Sequence, residues 1–237
     1  MMPERELLEI RIRTLFTLSP ESKLLSINEP STIPKPAPRL YIGKTIDDTK
    51  IDGKIIYYFG KDVLRETIEE LKSFLERESA LNESKLIDFQ DEYLKILAGV
   101  NYEKEIFYHH NWQINPSSNE CILIAKENID KINLGEFDWL AGEIHFCQPC
   151  FGITENNVLV SICRSVRIGD GAHEAGIETI EEHRGKSHAQ KVLINWINKL
   201  QGSNIIPFYS TSIKNKASQR VAEKAGLKYS GIGLSIY

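Results

Sequence analysis

The chain has 237 residues, with 29 Lys+Arg against 33 Asp+Glu and a formal net charge of −4, a balance that argues against bulk attraction to nucleic acid or to an anionic membrane surface. Its 41% hydrophobic and 26% charged residues are ordinary for a globular protein long enough to build a sizeable core. No stretch approaches the roughly 18 apolar residues of a membrane helix, and the opening MMPERELLEIRIRTLF lacks the apolar centre of a signal peptide, so a cytoplasmic location is expected.

In chain order, RTLFTLSPESKLLSINEP reads as a hairpin with Pro20 in its turn. Pro30, Pro34, Pro36 and Pro38 then make an extended connector. RLYIGKT and KIIYYFG read as a second strand pair. From Asp62, Val63, Leu64, Ile68, Leu71, Phe74 and Leu75 recur at helical spacing. A second helix is expected from about Leu86 to Leu97, with Leu86, Phe89, Tyr93 and Leu97 on one face. His109 and His110 are adjacent, so their rings should diverge; two surface or half-buried histidines are expected there.

Cys147 and Cys150 form a single CxxC with no second pair at zinc-site spacing. They are expected as partly buried thiols near a turn, with Cys121 and Cys163 also free in a reducing compartment. No metal site is expected.

The second part of the chain changes character. NVLVSICR and EAGIETI read as strands, and SHAQKVLINWINKL as a helix with Ala189, Val192, Leu193, Trp196, Ile197 and Leu200 on one face. IIPFYSTS is a strand, NKASQRVAEKAG a helix capped by Gly226, and LKYSGIGLSIY a final strand or strand pair. The order is β-β-α-β-α-β.

Between the second strand and its helix lies IEEHRGKSHAQ. Its Gly185-Lys186-Ser187 resembles the end of a nucleotide-binding P-loop, but the template needs glycine where Ile180 stands, and Glu181 and Glu182 would repel phosphates. A simpler reading is a helix N-terminus whose free N–H groups carry partial positive charge toward a pyrophosphate. Arg184 and Lys186 add full charges, small Ser187 and Ala189 allow close approach, and His188 sits in the first turn.

Arg184-Gly185-Lys186-Ser187-His188-Ala189 is similar to the Gln/Arg-x-x-Gly-x-Gly/Ala signature of the GNAT superfamily of N-acetyltransferases, with Ser187 in place of the middle glycine. From about Val158 to Leu227 the ordered run SICRSVR, EAGIET, HRGKSHA, PFYSTS and NKASQRVAEKAGL resembles a bacterial, functionally unassigned subgroup. The resemblance implies an α/β fold, a mixed sheet of the GNAT-like acyl-CoA N-acyltransferase kind with an additional N-terminal α+β region. It implies acetyl-CoA as co-substrate. The pantetheine arm would lie along Ile177, Glu178 and Thr179. The pyrophosphate would sit on Arg184, Gly185, Lys186, Ser187, His188 and Ala189, and the thiol end near Asn215 and Ser218. Ser187 fits such a cradle if its backbone is helical or extended.

Acetyl transfer to an amine needs a base, a polarised carbonyl and a proton for the departing thiolate. Glu174 is the first candidate base and Glu178 the second. They share a strand face, with Gly176 between them expected to leave open space. The plainer role for Glu174 is an ion pair with Arg164 or Arg167. Many GNAT enzymes carry a tyrosine acid seven residues after the asparagine of the last helix; here that position is Ala222, so the acid role falls to Tyr209, Ser218 or solvent. The expected organisation is a first part, residues 1–115, that could shape the acceptor site or be a degenerate copy of the same fold, and an acetyl-CoA domain, 116–237. The expected function is N-acetyl transfer to a primary amine of a small molecule or protein, by a monomer or homodimer without nucleic-acid or membrane partners. The alternative is a non-catalytic acyl-CoA sensor or scaffold.

Overall fold

The structure is a computed structural model and describes residues 2–29, 33–45, 55–81, 87–99, 101–110, 116–169 and 171–237. It opens with a helix that the strand reading of the first residues overlooked, α1 (Glu4–Leu15), which buries Leu7, Leu8, Ile12 and Leu15. Their spacing is helical, but three arginines and three glutamates in the same helix mask the apolar stripe. The expected hairpin therefore starts later, as β1 (Phe16–Leu18) and β2 (Leu24–Ile27).

The other elements follow as β3 (Leu40–Thr45), β4 (Ile55–Phe59), α2 (Arg65–Ala80), α3 (Gln90–Ile96), β5 (Tyr102–His110) and β6 (Ile122–Ile124). Then come the one-turn α4 (Leu140–Glu143), β7 (Cys150–Glu155), β8 (Val158–Gly169), β9 (Ala172–Thr179), α5 (His188–Gln201), β10 (Ile206–Ser212), α6 (Lys216–Lys224) and β11 (Leu227–Ile236). Helix α3 is shorter than expected, and Leu86, Pro30 and the segment 111–115 lie outside the described residues.

β3 to β11 form one mixed sheet of nine strands in the order β4-β3-β11-β5-β10-β9-β8-β7-β6. The boundary expected between residues 115 and 116 is crossed by this sheet, because β5 sits between β11 and β10. Alternating strand residues feed two faces. On one, Leu40, Ile42, Ile106 and Tyr108 join Leu71, Tyr93, Val192, Trp196 and Ala222 in a core with α2, α3, α5 and α6. On the other, Tyr41, Ile56 and Phe107 meet α1, Ala172 and Phe208 meet Leu7, and Cys150 and Ile162 lie beneath α4.

Cys147 and Cys150 are fully buried rather than partly so. All four cysteines are free thiols, and among the described residues no His, Cys, Asp and Glu cluster is arranged to hold a metal ion. His109 and His110 are buried too, because β5 is an interior strand. Their rings diverge as expected, His109 toward Ser230 and His110 toward Gln201. No helix among the described residues is long and apolar enough to cross a membrane.

Candidate active site

The sheet is mixed because β9 and β10 run parallel, and that pairing is short. Ala172, His173 and Glu174 face Ile206, Pro207 and Phe208. Beyond Glu174 and Phe208 the strands part: β9 continues beside β8 to Thr179, and β10 continues beside β5 to Ser212. Two strand edges therefore face a gap with backbone N–H and C=O groups left for an extended ligand. At the mouth of the gap lies a groove of about 800 Å³, within the range of small-molecule and cofactor sites.

Ile177, Glu178 and Thr179 line the groove from β9, and Arg184, Gly185, Ser187, His188 and Ala189 from the turn and the start of α5. Tyr209, Asn215 and Ser218 close it from β10 and α6. Lys186 and Glu174, both expected in the site, are not among the lining residues.

Residues 145–232 match the family model of the GNAT acetyltransferase. This segment is similar to the GNAT acetyltransferases. A stretch of 78 residues is 33% identical to the uncharacterized N-acetyltransferase YdfB of Bacillus subtilis (strain 168), covering 33% of this chain and 30% of that protein. The chain thus spans about a third of the length of that curated relative. Among solved structures, a GNAT-family acetyltransferase from Colwellia psychrerythraea is 17% identical over 83% of this chain and 81% of that one, with a TM-score of 0.49. A GCN5-related N-acetyltransferase from Kribbella flavida is 12% identical over 100% and 95%, with a TM-score of 0.47.

Within the matched segment, the turn before α5 is built on two left-handed residues, Gly185 with φ 80° and Ser187 with φ 65°. Ser187 is thus neither helical nor extended, contrary to the sequence expectation. The left-handed conformation is natural for the glycine of the family signature and costs a side-chain-bearing residue roughly 1–2 kcal/mol. Ser187→Gly is expected to stabilise the fold by about 0.5–1 kcal/mol, less than the full strain because glycine also loosens the unfolded chain. Urea denaturation reads this directly, and an unchanged or lower midpoint would show that the serine hydroxyl stabilises the turn.

The cation expected from Lys186 is turned aside. Its Nζ donates to Glu155 Oε2 at 2.7 Å, at the end of β7. Glu155 also meets His183 Nδ1 at 2.8 Å and His188 Nε2 at 2.7 Å. Lys186, then His188, lower the Glu155 pKa to about 2, with His183 adding to the effect. Glu155 carried no signal in the sequence reading, since it lies outside every signature segment. Arg184 stays exposed at the rim, with Nε donating to the Thr179 carbonyl at 3.3 Å.

At the other end, Asn215 Oδ1 caps α6 by accepting from the Ser218 N–H at 3.1 Å. The Ser218 hydroxyl lies 2.6 Å from Tyr209 Oη. Burial raises the Tyr209 pKa, with Ser218 opposing it in part, so the phenol holds its proton through the neutral range. Ala222 is fully buried and brings no hydroxyl to the site.

Glu174 sits where β9 and β10 part, on the face that α1 covers. Its carboxylate meets Arg11, with Arg11 Nε 3.3 Å from Oε2, and not Arg164 or Arg167. Arg164 pairs with Glu178 at 2.7 Å and stacks on Trp139, while Arg167 reaches Glu29 at 2.6 Å. Burial raises the Glu174 pKa against the pull of Arg11. The space expected at Gly176 is filled: a Cβ there would lie 2.2 Å from Val166 Cγ1.

Proposed function

We propose that the protein transfers an acetyl group from acetyl-CoA to a primary amine of a small molecule or protein. The observation that carries this reading is the parting of β9 and β10 at Glu174 and Phe208, beside a groove that ends on the left-handed turn and N-terminus of α5. Acetyl-CoA, when bound, supplies a thioester activated toward an amine. The chain's own groups suit the rest. The edge of Ile177 to Thr179 offers backbone hydrogen bonds to an extended arm, and the first N–H groups of α5, with Arg184, Gly185, Ser187, His188 and Ala189, offer a cradle for a pyrophosphate. In this reading Lys186 contributes by shaping the turn.

Tyr209 acts as the acid toward the departing thiolate, with Ser218 orienting its hydroxyl and Asn215 fixing Ser218. Of the two carboxylates on β9, Glu178 is the favoured base because it lines the groove, while Glu174 is held at the vertex by Arg11. The N-terminal part, residues 1–115, supplies α1 and β5 beneath the vertex and so would shape the acceptor side. Four free thiols suit a reducing compartment such as the cytoplasm.

Calorimetry of the full chain with acetyl-CoA tests the binding half of the proposal, and absence of heat at high micromolar concentration would overturn it. Release of free thiol on adding amines tests the transfer. Release that survives both Glu174→Gln and Glu178→Gln would remove these carboxylates from the reaction. Binding without release under any amine would favour the sensor reading, which buried Ala222 and strained Ser187 motivate.

A further inference from the structure

We infer that Glu155 is a positioning residue of the coenzyme site, a clamp that holds the phosphate-facing turn in its strained shape. This deepens, and rests on, the reading of the groove as the acetyl-CoA site. Left-handed backbone at a residue with a side chain persists where the surroundings over-determine it. One carboxylate gathers the side chains on both sides of Ser187. Glu155 binds the side chains of residues 183, 186 and 188, which bracket both left-handed positions, at 2.7–2.8 Å. It reaches them from another element, the end of β7, just before the left-handed Asn156 and Asn157 that turn the chain into β8.

His188 makes the dependence sharper. Its ring is buried, and its Nδ1 has no hydrogen-bond partner among the described residues, so Glu155 is the group that fixes it. Lys186 is the second consequence. With its ammonium on Glu155, the cradle presents backbone N–H groups and Arg184 to the groove in place of two cationic side chains. The clamp therefore exchanges a charge for a fixed backbone geometry.

The test uses the full chain with acetyl-CoA as probe. Glu155→Gln keeps the size of the side chain and removes the charge from three charge-assisted contacts. It is expected to raise the Kd for acetyl-CoA about tenfold while kcat at saturation stays within about twofold, the pattern of lost binding without lost chemistry. Amide hydrogen exchange of the free chain should quicken over residues 184–189 and stay unchanged in β8 and β9. In the Ser187→Gly background, where the turn needs less holding, the same substitution should raise Kd only about threefold, a coupling that a general loss of stability does not produce.

Equal or tighter binding by Glu155→Gln overturns the proposal, since it would make Glu155 a counter-ion that withholds Lys186 from the coenzyme. Unchanged exchange of the turn overturns it too. If the unmodified protein gives no heat with acetyl-CoA, the reading of the groove falls, and the clamp stands or falls on the exchange measurement alone. Glu155→Asp, which keeps the charge but shortens the reach, should resemble Glu155→Gln if geometry matters and the unmodified protein if charge alone does; the second result also counts against the clamp.

Discussion

Replacing Tyr209 with phenylalanine is expected to lower kcat about a hundredfold, at the low end of what a positioned acid or base contributes, with little change in KM for acetyl-CoA. The expectation follows from position and proton. Tyr209 lies directly after Phe208, the last residue of β10 paired with β9, so its side chain enters the groove where the strands separate. Burial keeps the phenol protonated, and the Ser218 hydroxyl 2.6 Å away restrains its orientation. Phenylalanine preserves the ring's packing against Tyr108 and removes only the hydroxyl. The effect should fall on kcat, because a proton delivered to a departing thiolate matters in the transition state and not in the ground state. Because burial raises the Tyr209 pKa, any alkaline loss of activity from its ionisation should come above the ordinary tyrosine value of 10.0 and be absent from the phenylalanine variant. Initial-rate kinetics over acetyl-CoA and amine concentrations measures this. A variant retaining more than half of kcat would assign the proton to solvent or to Ser218.

The second half of the chain was legible in the sequence because each element there announces itself locally. Trp196 and its neighbours recur at helical spacing, Gly226 stands left-handed just beyond α6, and the apolar run of β8 belongs to an interior strand. The groove was legible as residue types too, with Ile177, Thr179, Gly185, Asn215 and Ser218 all along its wall. What was not legible depends on partners distant in sequence. Glu174 and its neighbours on β9 pointed to a partner on β8, but the partner is Arg11, 163 positions away. Glu155 carries no local pattern; it matters because β7 ends opposite the turn before α5. Ser187 shows the limit differently: substitution of the signature glycine was visible, but whether its backbone follows the glycine's conformation is fixed by the surrounding structure. Strand β5 was missed because the pairing that makes it interior, between β10 and β11, joins distant parts of the chain.

The most damaging single change to stability should be at the centre of that long-range pairing. Arg11 is fully buried on α1. Its Nη2 donates to Glu105 at 2.7 Å, its Nη1 donates to Tyr41 Oη at 3.0 Å, and its guanidinium lies over the Phe107 ring. Burial works against its charge, but Glu105 and Glu174 outweigh burial and raise its pKa above the ordinary arginine value. Arg11→Met fills most of the volume and leaves Glu174 buried without its cation. Breaking a buried pair from one side costs about 3–5 kcal/mol, which for a protein of this size lowers Tm by roughly 10 °C. The sign of the pH dependence identifies the cause. Glu174 already has a raised pKa in the folded protein, and losing Arg11 raises it further. A carboxyl whose folded pKa is raised stabilises the fold below its unfolded value, ordinarily near 4.5, and loses that contribution as pH climbs through the folded pKa. The variant's deficit should therefore be smaller near pH 4 than near pH 8, where the lone carboxylate must stay charged or take up a proton against the solution. Adding Glu174→Met should recover most of the loss, since an apolar pair can replace a buried ion pair at little cost, and Glu105 is open enough to be solvated. Denaturation of the two variants at both pH values settles the assignment. A single variant within about 1 kcal/mol of the parent at pH 8 would mean that the apolar contacts of α1 hold it to the sheet without Arg11, and that the carboxylate beneath the parting strands has another source of compensation.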